Sequence, residues 1–168
     1  MTELPYKQPA RECGDCTMCC QGFLTANVHG YVMSPGVPCH FVSDNSCGGC
    51  TIYEDRPEVC SGYQCMWKKT PSMPEWMKPN KSDVLLTQNS VTFDGVEYHY
   101  INLKEGYNNI RGDVLNYVLR TCMQYNINLN YEVNGAWYWQ GNETWMKKHM
   151  ESKGFEHIVP VEEPAQDT

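Results

Sequence analysis

Apolar and polar positions change their rhythm along this chain, and the change predicts where each kind of structure begins. Across residues 109–125 the apolar positions Leu115, Val118, Leu119, Cys122 and Tyr125 recur at three- and four-residue steps, which predicts a helix with one buried face. Upstream, Val84-Leu85-Leu86-Thr87 and Val91-Thr92-Phe93 flank a polar bend, and Asp94-Gly95 marks a turn before Val96-Glu97-Tyr98-His99-Tyr100-Ile101. This pattern predicts an antiparallel meander. Downstream, residues 129–133 and 136–139 surround Asn134-Gly135, a strong hairpin signal, and residues 143–153 predict a short closing helix. Strand alternation sends Trp137 and Trp139 to one face and Tyr138 to the other, as a half-buried sheet requires.

The front of the chain has no such rhythm. Leu, Ile, Val and Phe make up only about 18% of the residues, a level at which disorder becomes a serious reading. The ten Cys, five Trp, eleven Tyr and nine Met argue against it. The shortage is worst at the front, because residues 1–65 hold ten of those thirty aliphatic and Phe residues but nine of the ten cysteines. Too few aliphatics are present there to offset the conformational entropy lost on ordering the segment, so another source of cohesion is expected. Between front and rear, residues 68–79 contain Pro71, Pro74 and Pro79, which disfavour a long helix or an interior strand. Trp76 and Met77 are expected to pin this connector to the body. The resulting expectation is an α+β fold in one small domain. An irregular cysteine-rich, metal-binding region at residues 1–70 packs on a short antiparallel sheet with one main helix at residues 71–157, and residues 158–168 form a frayed acidic tail.

Charge narrows the partners. Thirteen basic against twenty acidic residues give a formal charge of -7, which offers no electrostatic footprint for a phosphate backbone, so no nucleic acid is expected. No run of about 18 apolar residues predicts a membrane span, and the opening residues lack the apolar stretch of a secretory signal. A cytoplasmic location is the expectation, with a protein partner possible in principle and unnamed by the sequence. No serine elbow, phosphate loop or dinucleotide fingerprint is visible, and no catalytic residue is assigned.

The chemistry lies in the cysteines. The front reads Cys13-Gly14-Asp15-Cys16-Thr17-Met18-Cys19-Cys20, then Cys39, then Cys47-Gly48-Gly49-Cys50, then Cys60 and Cys65. Thiolates two residues apart face one metal readily, because the intervening residues make a tight turn. Three in succession plus one remote cysteine is a way to hold a [4Fe-4S] cluster, whereas zinc sites more often combine two separate pairs. Adjacent side chains diverge, so Cys19 and Cys20 are not expected to share one tetrahedral centre. Nine front cysteines suffice for two four-thiolate sites with one left over, and the order of residues does not assign the remote ligands. Disulfides are disfavoured by the expected reducing compartment. A thioredoxin-like role for Cys47-Gly48-Gly49-Cys50 is disfavoured because Gly-Gly opposes the helix such a site needs.

The run from Cys13 to Cys20, followed by Pro38-Cys39 and by Cys50-Thr51-Ile52-Tyr53-Glu54-Asp55-Arg56-Pro57-Glu58-Val59-Cys60, resembles the cysteine-cluster (CxxCxxCC) family of zinc- or iron-chelating proteins. The resemblance spans about a third of the chain. It implies metal ligation by Cys13, Cys16, Cys19, Cys20, Cys39, Cys50, Cys60 and Cys65, with Cys47 an extra cysteine outside the family pattern. It also implies zinc or an iron-sulfur cluster as cofactor, and no settled biochemical activity. Related members occur fused to a protein lysine methylase, which makes an accessory role for a modification enzyme one alternative.

Independently of the family, Pro57 restricts Arg56 to extended backbone, and the Arg56 guanidinium is placed to offset charge beside thiolates. A surface ion pair with Glu54 or Asp55 is the plainer alternative. Tyr53 is read as packing beside it. His40 follows Cys39 directly, and an ordinary surface role is the better reading. Cys122 falls on the apolar helix face and is read as core. Three functions remain open: a metal-binding protein whose metal is needed for folding, an iron-sulfur redox or accessory protein, and a metal-dependent enzyme with an open coordination position.

Overall fold

The computed structural model describes residues 11–43 and 49–155; Cys47 and the acidic tail at 158–168 lie outside the described residues. The chain is α+β. Its front carries a small hairpin, β1 (Ala26–Val28) and β2 (Tyr31–Met33), followed by two single helical turns, α1 (Glu58–Ser61) and α2 (Met66–Lys69). The connector contributes another single turn, α3 (Pro79–Ser82). The rear contains β3 (Val84–Phe93), β4 (Val96–Glu105), α4 (Gly112–Gln124), β5 (Asn128–Val133), β6 (Ala136–Gln140) and α5 (Glu143–Ser152).

The four rear strands lie in chain order, β3-β4-β5-β6. Two of the joins are tight hairpins. Asp94 and Gly95 take φ of 50° and 79°, and Asn134 and Gly135 take 52° and 81°, the paired left-handed conformations of a type I′ turn. The third join departs from the expected antiparallel sheet, because β4 and β5 run parallel, with Ile101 opposite Leu129. A parallel pair needs a crossover, and α4 supplies it. The polar bend expected between residues 87 and 91 is also absent. Gln88, Asn89 and Ser90 continue β3 without interruption, paired to Ile101, Tyr100 and His99.

One sheet face carries Val84, Leu86, Ile101, Leu103 and Leu129, which pack with Val114, Val118 and Cys122 of α4 and with Trp67, Met73 and Met77 from the connector side. The buried face of α4 is rotated from the expected one: Val114 is fully buried, whereas Tyr125 is exposed. Cys122 is core, with its thiol pushed up to about 11 by burial. On the opposite sheet face, Trp145 and His149 of α5 lie against Tyr100, with ring centroids 5.4 and 4.7 Å away. Trp137 and Trp139 share a face at 6.1 Å, while Tyr138 stacks on Tyr131 across the other. Met77 is buried as expected of the connector, and Trp76 is half exposed, with its ring edge on Tyr117.

The front has a second, smaller core of Val28, Met33 and Cys39, against which Cys20, Leu24, Ala26, Phe41, Val42, Ile52 and Cys60 pack. Sulfur atoms therefore take places that aliphatic carbon would fill in an ordinary domain. Among the described residues no helix is long and apolar enough to cross a membrane.

Candidate metal centre

Local backbone geometry brings the cysteines inward. Gly14, at φ 58°, lets the first knuckle close, with the Cys16 amide donating to Cys13 O at 2.9 Å. Residues Met18–Cys20 form a 3-10 turn, with the Cys20 amide donating to Thr17 O at 2.8 Å. The Cys39 amide then donates to Cys20 O at 2.8 Å, which lays the third segment beside the second. Gly22, at φ 86°, permits that approach. A Cβ there would meet Val37 N at 3.0 Å and Pro38 N at 3.2 Å. Cys50 is bridged to Val42, Cys60 sits within α1, and Cys65 immediately precedes α2.

Seven of the cysteines, Cys13, Cys16, Cys19, Cys20, Cys39, Cys50 and Cys60, line one cavity of about 140 Å³. That is well above the roughly 10–15 Å³ a single water needs. Apolar side chains, including Leu24, Val28, Met33, Phe41 and Ile52, form the rest of the wall. Cys65 is not part of this lining and packs instead against the rear core beside Trp67.

Electrostatics divides the thiols. Burial pushes Cys60 up, and the fields of Cys20, Cys39 and Cys50 add to it. Burial likewise raises Cys16 and Cys65, with Cys13 acting on both and Cys65 acting on Cys16. Backbone N–H groups oppose the rise, those of Met18 and Asn80 at Cys16 and those of Lys68 and Trp67 at Cys65. Such donors favour the thiolate. Cys19 and Cys20 meet with sulfurs 3.8 Å apart. Their mutual contact holds Cys20 low, helped by Arg56, and Cys19 high.

Two cations stand beside the sulfurs. Arg56 lies in the cavity wall, with its guanidinium carbon 3.7 Å from the Tyr53 ring centre and its Nε donating to Tyr53 O at 2.8 Å. Its backbone is extended, with φ -62° and ψ 135°, as the following proline requires. Tyr53 is more exposed than simple packing implies, and its ring serves as a platform for that guanidinium. The second cation, Lys78, has no counterpart in the expectations from sequence. It is buried, donates from Nζ to Asp15 Oδ1 at 2.8 Å and reaches within 5.4 Å of the Trp67 ring centre. Burial alone would depress Lys78, but Asp15 and then Cys16 outweigh it and hold it above the usual lysine value.

Two further residues tie front to rear. Arg11 donates to Trp67 O at 2.8 Å, Pro71 O at 2.9 Å and Met73 O at 2.5 Å. Tyr63, in the cavity wall, shares a 2.9 Å hydrogen bond with Thr87 of β3, and burial pushes its phenol up to about 12. Its place between Cys60 and Cys65 is the signal that could have drawn attention to it; for Lys78 the sequence holds none. His40 is exposed and stacks on Tyr31 at 3.8 Å, away from the sulfurs' cavity.

The donor set suits a thiophilic metal. The thiols are soft and mostly half-buried, and no carboxylate lines the cavity among the described residues. As they stand, no three His, Cys, Asp or Glu side chains among the described residues are drawn together tightly enough to hold an ion. The sulfurs face a common space without closing on one point. No family model, no curated protein and no solved structure matches this chain.

Proposed function

We propose that this chain is a metal-binding cysteine-cluster protein whose metal, zinc or an iron-sulfur centre, is needed to fold its front. The observation that carries the reading is the gathering of seven cysteines on one cavity, in a half whose own core is small. A bound metal would cross-link segments far apart in the sequence, such as those around Cys39, Cys50 and Cys60, so its binding free energy would be folding free energy. Buried thiols that resist ionisation in isolation give up their protons to a metal, and the N–H groups at Cys16 and Cys65 stabilise the thiolates that result. Arg56 and Lys78 offset the negative charge so created. The resemblance of the cysteine pattern to zinc- or iron-chelating cysteine-cluster proteins supports the same reading.

The test is anaerobic purification followed by elemental analysis for zinc, iron and sulfide, then chelation monitored by near-UV circular dichroism. Stoichiometric metal whose removal collapses the tertiary signal is the expected result. A metal-free preparation with an unchanged tertiary signal would overturn the reading.

A further inference from the structure

We propose that the cysteines form two separate four-thiolate metal centres that share no ligand, one of Cys13, Cys16, Cys19 and Cys65 and the other of Cys20, Cys39, Cys50 and Cys60. This assignment rests on the metal-binding reading above and goes beyond it by dividing the ligands.

The second group is a single structural unit. Cys20, Cys39 and Cys60 pack around Val28 and Met33, and the Cys39 amide donates to Cys20 O. Val42, whose amide donates to Cys39 O at 3.1 Å, is the residue bridged to Cys50. The first group is assembled by different residues. Lys78 clasps the Cys13–Cys16 knuckle through Asp15 and also approaches Trp67, two residues after Cys65. Arg11 binds the carbonyl of that same Trp67 and lies 4.4 Å from its ring centre. Cys65 is thus brought toward Cys13 and Cys16 from the rear side, outside the cavity that the other seven line.

Cys13, Cys16 and Cys19 form one run with two residues between successive thiols, which assigns Cys19 to the first group. Cys20, whose carbonyl accepts the Cys39 amide, belongs to the second. The Cys19 and Cys20 sulfurs meet at 3.8 Å on the cavity that both groups line. Charge supports two centres as well. Four thiolates around a divalent ion carry a net charge of about -2. Each group has its own cation to reduce that charge, Lys78 beside Cys16 and Arg56 beside Cys20 and Cys60.

The two groups differ in spacing. The first is a run of three cysteines at two-residue intervals closed by a remote fourth. The second draws single cysteines from four separate segments. Separate ligand sets of unlike spacing are expected to load independently, whereas a single binuclear cluster would bridge its ions through shared sulfurs.

The test uses the full chain, stripped of metal without oxygen and reloaded with Cd²⁺ for ¹¹³Cd NMR, with Cys65→Ser and Cys60→Ser as the principal variants. The expected result is two Cd²⁺ per wild-type chain, giving two resonances of four-thiolate character with no coupling between them. Each variant should lose one resonance and keep the other, so the stoichiometry falls from two to one. Cys13→Ser should reproduce Cys65→Ser, and Cys39→Ser should reproduce Cys60→Ser, which guards against one variant failing to fold. A single equivalent in the wild type, coupling between the cadmium nuclei, or loss of both resonances in both variants of one pair would overturn the division. Those outcomes leave metal binding intact. Failure of the wild-type chain to retain any Cd²⁺, zinc or iron would overturn the division and the metal-binding reading together.

Discussion

Lys78 reaches back across sixty-three positions of the chain to donate to Asp15 at 2.8 Å. The lysine is buried and the aspartate largely exposed, so the pair is a buried cation steered by a surface anion. Hydrogen bonding from Lys78 holds the Asp15 carboxyl below its usual 3.8. A carboxyl depressed by folding contributes stability above its unfolded value, and that contribution is lost as pH falls through the folded value. Asp15→Asn should therefore lower the thermal midpoint slightly near neutrality, and the difference from wild type should vanish in strong acid. Lys78→Met should cost more, because it removes the charge beside Cys16 as well. Thermal melts over a pH series, with metal content measured on each variant, check both.

His149 gives the opposite half of the molecule a pH dependence of its own. Its ring is buried, accepts from Trp139 Nε1 at 3.0 Å on Nδ1 and stacks on Trp145. Burial, with Lys153 adding to it, holds His149 down from 6.5 to about 4. The unfolded chain takes up a proton near 6.5 and the folded one does not, so stability is full above that value and falls as pH drops from about 6.5 toward 4. After allowing for solvent screening, the loss is on the order of 2 kcal/mol. In His149→Gln, which keeps an acceptor for the indole, denaturant unfolding should show little pH dependence across that window. An unaltered pH dependence in the variant would remove His149 as its source.

The start of the rear sheet depends on one carboxylate. Asp83, at φ 58°, accepts the amides of Tyr107 and Asn108 and the Asn108 side chain, each at 2.9 Å. Hydrogen bonds to a charged acceptor contribute about 1.5–3 kcal/mol where sheltered and less where exposed. Asp83→Ala loses all three and keeps the unfavourable φ, and should cost about 2–4 kcal/mol. Asp83→Asn should cost less than half of that. Gly106→Ala should be similarly harmful, since its Cβ would fall 2.6 Å from Asp83 O. Urea unfolding of the three variants orders them.

Gly22 offers a way to disturb the cysteine cavity without touching sulfur. Gly22→Ala places a Cβ against the backbone of Val37 and Pro38 at a left-handed φ, just before Cys39. The strain of such a position is about 1–3 kcal/mol. Metal affinity, measured by competition with a chelator, should fall about tenfold or more, while far-UV circular dichroism of the rear elements holds. Retention of wild-type affinity would show that this approach of the chain is not needed for binding.

Much of the rear was legible because its signals are local. Asn134-Gly135 and Asp94-Gly95 fix their turns through backbone conformations that few residues adopt. The spacing of Val118, Leu119 and Cys122 places α4, although Val114 rather than Tyr125 completes its buried face. The parallel pairing of β4 with β5 was not legible, since alternation reads the same for either strand direction and only the helical crossover distinguishes them. In the front, cysteine spacing drew attention to residues that do line one cavity, but Cys19 and Cys20 both face it with sulfurs 3.8 Å apart, and the grouping of remote cysteines depends on contacts made across tens of residues. Lys78 stayed hidden for the same reason. Nothing adjacent to it in the chain distinguishes a buried clasp from an ordinary surface lysine.

The attachments made by Arg11, Asp15 and Tyr63 have a consequence for synthesis. The thiol-bearing half leaves the ribosome first, yet Trp67, Lys78 and Thr87, on which it is anchored, emerge behind it. For that interval the sulfurs are exposed to oxidants and to any competing metal in the surrounding fluid. If the front binds metal as proposed, loading of the ion is expected to be late, timed by the arrival of the strands that follow.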